Sequence, residues 1–282
     1  MPAEEKTSPS RRLPKHPKRV VIKIGSSLLA DENGLLRPQI RRLAREIAAL
    51  REAGTAVTLV SSGAIAAGRS RIPTPARPTI PERQAAAAVG QIHLMVAFET
   101  AFARYDIPVA QILLDAADLA DRHRFLNATH AIEMLHRHDV LPIVNENDTV
   151  SVDELKFGDN DHLSAMVASL VGADLLVILS DVDGVYSAPP ATDPEAQRIP
   201  LIRRVDAPLL ARTRSGSSRF GTGGMESKLL AARKAAEAGI PTIIADGRAK
   251  GALARALDPA QDEGTLVLAA AGRRPSKRPR QP

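Results

Sequence analysis

The chain alternates between short, continuously apolar runs and longer stretches with apolar positions three and four apart. Val20-Val21-Ile22-Lys23-Ile24, Val57 to Val60, Val109 to Leu114, Leu141 to Val144, Leu175 to Leu179, Thr242 to Ala245 and Thr265 to Leu268 are runs of the first kind. They read as strands covered on both faces, the pattern of a parallel sheet. After Pro38, the residues Ile40, Leu43, Ala44, Ile47 and Leu50 fall at helical spacing, and Gly54 follows as a C-terminal cap. Further helices are predicted over 81–105, 122–138, 161–171 and 225–238. Residues 151–160 read as a polar hairpin or loop, and 186–200, rich in Pro and Ala, as a surface loop. Strands alternating with helices predict an α/β fold, a three-layer α/β/α sandwich with an open, mostly parallel sheet. No repeat or linker interrupts 19–270, which reads as one domain of two lobes, divided near 172–173.

Composition narrows this picture. With five Phe, two Tyr and no Trp, the core is built from Ala, Val, Ile and Leu. The absence of cysteine excludes disulfides, thiolate metal sites and a Cys nucleophile. The basic N-terminus has no apolar stretch after it, so no secretory signal is expected. No run of 18 apolar residues exists, so no membrane-spanning helix is expected either. A cytoplasmic location is the expectation.

The net charge of +6 suggests a polyanion partner, but its distribution argues otherwise. Residues 1–19 carry six basic groups against two acids, and residues 271–282 carry five basic groups and no acid. The span between is therefore at −3. Two Pro-rich tails, 1–18 and 271–282, hold the positive charge and are expected to be disordered. No aromatics interleave their basic residues, so nucleic acid is not an expected partner.

The polar residues gather after strands. Gly25-Ser26-Ser27, Ser61-Ser62-Gly63-Ala64 and Gly221-Thr222-Gly223-Gly224 are glycine-containing loops at strand ends or helix starts. Such backbone can approach a phosphate and offer it N–H groups. No Walker A loop, dinucleotide fingerprint or protein-kinase motif set is present. Lys23 lies inside an apolar strand, where a lysine is unfavourable unless it meets an anion; snorkelling to solvent is the competing account. Lys228 lies about one helical turn past Gly224. Asn145-Glu146-Asn147-Asp148 follows a strand, and Gly158-Asp159-Asn160-Asp161 precedes a helix. Turn formation and N-capping explain such residues on their own, and gripping a ligand ammonium or ordering lysines explains them equally. The seven histidines show no metal-ligand spacing and read as structural or exposed.

These pieces, in this order and spacing over about 19–270, resemble the amino acid kinase family and, within it, the glutamate 5-kinases. Arg124-Phe125-Leu126-Asn127-Ala128 and Ala87-Ala88-Val89-Gly90-Gln91 belong to the same resemblance. The resemblance implies phosphorylation of the glutamate γ-carboxylate by ATP and Mg²⁺, the entry step to proline. It implies acceptor binding in an N-terminal lobe, about 19–172, and nucleotide binding in a C-terminal lobe, about 173–270. By position it implies a catalytic set of Lys23, Lys228 and Asp161, the last orienting the lysines. Ser62, Asp148, Asp159 and Asn160 are implied to bind glutamate. Lys23, Gly25, Ser180, Asp181, Thr222, Gly223, Gly224, Met225 and Lys228 are implied to bind nucleotide. No protein metal site is expected, Mg²⁺ being held mainly by ATP phosphates. A homo-oligomer, dimer or tetramer, is implied, as is a partner enzyme, glutamyl 5-phosphate reductase.

The sequence departs from the family pattern in three places. Many members carry a C-terminal RNA-binding-like PUA domain, which a chain of this length is expected to lack. His162 stands where Asn is frequent, and Pro189 where an Asp near the nucleotide is usual. Three other functions compete: a kinase of the same fold with a different acceptor, a non-catalytic amino acid sensor, and a nucleic-acid binder working through its tails. A sensor needs neither lysine, and the Asp148 and Asn160 pair favours an amino acid acceptor.

Overall fold

The computed structural model describes residues 13–14, 16–150, 160–190, 192–213 and 224–270. The elements follow in chain order. The first half contains β1 (Arg19–Ile24), α1 (Ser26–Leu29), β2 (Ala30–Asp31), β3 (Gly34–Leu35), α2 (Arg37–Glu52) and β4 (Ala56–Ser61). It continues through α3 (Ala64–Arg69), α4 (Ile80–Phe102), β5 (Val109–Leu114), α5 (Ala116–Ala120), α6 (Arg122–Arg137) and β6 (Leu141–Glu146). Then come α7 (Asn160–Leu170), β7 (Leu175–Ser180), β8 (Val185–Tyr186), β9 (Arg198–Ile199), β10 (Leu201–Ile202) and α8 (Ala207–Thr213). The last are α9 (Met225–Glu237), β11 (Thr242–Asp246), α10 (Ala252–Leu257) and β12 (Thr265–Val267).

Eight strands form one sheet in the order β10-β12-β11-β7-β1-β4-β6-β5. Every pairing from β11 to β5 is parallel, while β12 runs antiparallel to β11. The predicted mostly parallel sandwich is the observed one. β1 lies at its centre, paired with β4 on one side and β7 on the other, Lys23 standing opposite Val60 and Ile178.

Period-two alternation decides which layer each strand residue meets. Val20, Ile22 and Ile24 enter the core beneath α2 and α4, together with Leu59, Ile143, Leu94 and Phe98. Val21 joins the opposite core with Val60, Val144, Ile178, Val167 and Leu229, from α7 and α9. Lys23 shares the Val21 face, so it is directed to the layer of α7 and α9.

The helix α4 begins with a capping box between Thr79 and Glu82 and a proline in its first turn. Both features pre-set a helix start. By length and hydropathy it is apolar enough to cross a membrane, which the sequence reading did not expect. Half of that stretch is buried within the fold, with Leu94, Phe98 and Phe102 in the core. It meets α3 backbone to backbone. A Cβ on Gly90 would sit 1.8 Å from the Ala64 carbonyl oxygen, and one on Gly68 equally close to the Ala86 oxygen.

Some expectations are corrected. The strand read as 141–144 runs to Glu146, which puts Asn145 inside the sheet. The loop read over 186–200 is flanked by the antiparallel pair β8 and β9 and leads into β10. The helices α1, α3, α5, α8 and α10 have four to seven residues each, too short for periodicity to reveal. The expected loop over 151–159 and the greater part of both tails lie outside the described residues.

Candidate active site

Three chemistry-bearing groups converge where the C-terminal ends of β1, β4 and β7 meet the first turn of α7. Asp161, in that first turn, is fully buried. Lys23 Nζ lies 2.5 Å from its Oδ1 and Lys228 Nζ 3.1 Å from its Oδ2. Ser227 Oγ donates to Oδ2 at 2.9 Å. Both lysines are at most 5% exposed, so the arrangement is a buried triad of two cations on one anion. Burial alone raises the Asp161 carboxyl, but Lys23 and Lys228 outweigh it and hold the group well below the ordinary carboxylate range. The two ammonium groups and one carboxylate are held together away from water, in a place where an anion can be met by both lysines.

A second cluster begins one residue earlier. Asn160 Nδ2 faces three oxygens: the Ser61 carbonyl at 2.8 Å, Ser62 Oγ at 2.9 Å and Asn145 Oδ1 at 2.9 Å. Asn145 Oδ1 also accepts from the Glu146 N–H at 2.9 Å, and Asn145 Nδ2 donates to Gln91 Oε1 at 2.7 Å. Asp148 stands apart from these bonds, in the turn after β6. Burial pushes its carboxyl up to about 7, the neighbouring Glu146 carboxylate adding to the rise and Arg83 opposing it. A carboxylate strained in this way is relieved by a bound cation such as an ammonium.

Glycine caps mark the helix starts at this edge. Gly25 precedes α1, Gly63 precedes α3 in the left-handed region at φ 97°, and Gly224 precedes α9. None supplies a side-chain cap bond to the first backbone N–H groups of its helix, the groups that an anion at a helix start would meet. Ser180 ends β7, its hydroxyl donating to Asp181 at 3.1 Å. Its carbonyl accepts from Gly247 N–H, and the Gly25 N–H donates to the adjacent Leu179 carbonyl. At Gly247 a Cβ would meet Leu28 Cδ1 at 2.4 Å and Leu179 Cβ at 3.0 Å, so the Leu28 side chain of α1 packs directly over this backbone beside Ser180.

Of the residues singled out from the sequence, Lys23, Lys228 and Asp161 come together, as do Ser62 and Asn160. Gly25, Ser180 and Asp181 lie at adjacent strand ends, and Gly224 and Met225 open the helix that carries Lys228. Asp159, Thr222 and Gly223 lie outside the described residues. His162, beside Asp161, is half-buried and its proton affinity is lowered by burial and by Lys234. His136 is structural: it bonds Thr58 Oγ1 at 2.9 Å, and burial lowers it to about 4. Asn145, Gln91 and Ser227 were given no role from sequence. A Gln directly after the Ala-Ala-Ala-Ala-Val-Gly run of α4, and an Asn continuing an apolar strand, were the available signals.

Residues 18–246 match the amino acid kinase family. Curated relatives named glutamate 5-kinase include that of Meiothermus ruber, 51% identical over 88% of this chain and 66% of its own length. That of Trichlorobacter lovleyi is 51% identical over 90% and 68%, and that of Geobacter sulfurreducens 50% over 89% and 68%. The chain thus spans about two thirds of the length of these relatives. Among solved structures, the UMP kinase of Bacillus anthracis superposes with a TM-score of 0.63 at 18% identity, covering 90% of this chain and 97% of its own. The carbamate kinase of Giardia lamblia, solved with AMP-PNP, gives 0.62 at 20% identity, covering 90% and 99%. The central sheet, its flanking helices and the sequence match agree: the chain belongs to the amino acid kinase family.

Proposed function

We propose that this chain transfers the γ-phosphoryl group of ATP to the γ-carboxylate of L-glutamate, giving L-glutamyl 5-phosphate and ADP, the entry step to proline. The observation that carries phosphoryl transfer is the pair of buried lysines sharing Asp161, next to Asn160 in the same helical turn. The glutamate 5-kinases at half identity over nine-tenths of the chain supply the acceptor.

The chemistry suits the residues. A γ-carboxylate has a pKa of about 4.3 and is ionised at neutral pH, so it attacks without a general base. The transfer needs in-line placement and neutralisation of charge on the phosphoryl oxygens. Lys23 and Lys228 supply the charge, and Asp161 is a positioning residue that holds both ammonium groups in place. Fixing them in advance, away from water, removes reorganisation from the reaction. Open N–H groups at the glycine-capped starts of α1 and α9 suit the ATP phosphates, with Gly25, Ser180, Asp181, Gly224 and Met225 beside them; Thr222 and Gly223 complete that set. Among the described residues no group of three or more His, Asp or Glu is placed to hold a metal. Mg²⁺ would be held mainly by the ATP phosphates and would neutralise charge between them.

Ser62 and Asn160 mark the acceptor side, with Asp148 meeting the ammonium of the substrate; Asp159 is assigned to the same substrate. In this reading, residues up to about 172 hold the acceptor and later ones the nucleotide. The exposed Ile92 and Val96, one turn apart on α4, support a homo-oligomer. The acyl phosphate product is labile, which calls for a reductase partner in the same compartment, the cytoplasm. The test is ADP release with Mg-ATP across glutamate, aspartate, N-acetylglutamate, carbamate and UMP. Turnover with glutamate above all others is expected; preference for another acceptor would overturn the substrate assignment.

A further inference from the structure

The two layers of helices are joined at the acceptor side by three amides with a single direction. Gln91 Oε1 accepts from Asn145 Nδ2 at 2.7 Å, and Asn145 Oδ1 accepts from Asn160 Nδ2 at 2.9 Å. Amide orientation is settled by the groups around it, and here two of those are backbone and cannot flip. The Glu146 N–H faces Asn145 Oδ1 at 2.9 Å, and the Ser61 carbonyl faces Asn160 Nδ2 at 2.8 Å. Every amide in the row therefore presents its oxygen toward Gln91's opposite end of the chain: Asn160 is left with Oδ1, a buried acceptor without a partner among the described residues. An acceptor at that point selects a donor ligand, such as an ammonium group.

The first member of the row shows what the order costs. Gln91 is 9% exposed, and its own Nε2 is buried without a hydrogen-bond partner among the described residues. Turning the amide over would give Nε2 a neighbour, but that neighbour is Asn145 Nδ2, a donor against a donor. Gln91 thus keeps the orientation that serves Asn145 and leaves its own donor unmet. Its placement is rigid as well. The preceding residue, Gly90, has no space for a side chain against the Ala64 carbonyl, so α4 is locked to the segment that follows Ser62.

We infer that Gln91 is a positioning residue for acceptor recognition: through Asn145 it holds the Asn160 amide with its oxygen facing the ammonium of the amino acid substrate. Without the Gln91 oxygen, Asn145 Nδ2 loses its one acceptor among the described residues, and only the Glu146 N–H is left to hold the Asn145 amide against Asn160. The inference rests on glutamate being the acceptor.

The test compares glutamate with glutarate, which keeps both carboxylates and lacks the ammonium, in the full chain with Mg-ATP. In Gln91→Met, kcat/KM for glutamate is expected to fall on the order of tenfold. Glutarate turnover and the ATP KM should stay within about twofold of the wild type. Gln91→Glu keeps an oxygen opposite Asn145 and should retain the wild-type preference within about threefold. Equal losses with both acceptors, or no loss with glutamate, would overturn the inference. If Gln91→Met fails to fold, Gln91→Glu decides alone: a retained preference supports the role and a tenfold loss removes it. A wild-type chain without glutamate turnover would remove the proposed reaction itself, and the inference with it.

Discussion

Lys23 and Lys228 converge on opposite oxygens of one buried carboxylate, Asp161, at 2.5 and 3.1 Å. One lysine comes from the central strand and the other from the second turn of α9, and neither has solvent to fall back on. The arrangement holds both ammonium groups in fixed places at the ends of the strands.

Removing one lysine should separate catalysis from binding. In Lys228→Ala, Lys23 still pairs with Asp161, so the fold persists. The lost donor to the transferring group should lower kcat by about 10²–10³. The glutamate KM should change by less than about threefold. Steady-state kinetics with both substrates varied checks the split.

Asp161→Asn keeps the shape and removes the anion that the two buried ammonium groups share. Breaking a buried pair in this way costs about 3–5 kcal/mol, or a Tm lower by roughly ten degrees. The folded carboxyl titrates below its unfolded value, so its stabilisation is present above about pH 4 and is lost as pH falls below that. The Tm difference between wild type and variant should be full at pH 7 and close in acid. Calorimetry across pH 3 to 7 checks both.

Asp148 gives the opposite sign. Its carboxyl is raised to about 7 in the free protein by burial and by Glu146. Only the ionised form attracts an ammonium, so the glutamate KM should rise as pH falls below about 7, by up to about tenfold per unit. In Asp148→Asn the pH dependence should vanish and the KM should be about 10–100-fold higher, the worth of a charged hydrogen bond. Because the fold favours the protonated form, this group's contribution to stability is lost as pH rises through about 7. The unliganded variant should therefore melt higher than the wild type at pH 8.

How much of this could be read from the sequence depends on what each feature rests upon. Lys23 was legible because a charge in an apolar strand contradicts its neighbours, and β1 is that strand. Its partner was legible only in part: Asp161 serves as well for an N-cap, and only folding brings it to Lys228. The Asn145 to Gln91 bond spans two elements distant in sequence, and no local pattern announces it. Short elements such as α3, of six residues, and β10, of two, were missed because so few residues carry no period. The parallel core strands were found because burial on both faces makes them continuous runs of Val, Ile and Leu.

Gly90 ties the fold to the site. A methyl group there would lie 1.8 Å from the Ala64 oxygen, backbone against backbone, with no side chain able to yield. Gly90→Ala should force α3 and α4 apart and destabilise by about 3 kcal/mol or more. The exposed Ala88 on the same helix provides the control: Ala88→Ser should leave Tm within about two degrees. Thermal melts of the two variants settle the comparison.

The most direct measurement is the product itself. The chain is incubated with Mg-ATP, glutamate and hydroxylamine, and the hydroxamate formed from any acyl phosphate is quantified. Hydroxamate that needs both ATP and glutamate, falls by at least about a hundredfold in Lys228→Ala, and is absent with UMP is the expected result. ADP release without hydroxamate, or hydroxamate unchanged in Lys228→Ala, would contradict phosphoryl transfer to a carboxylate by this pair of lysines.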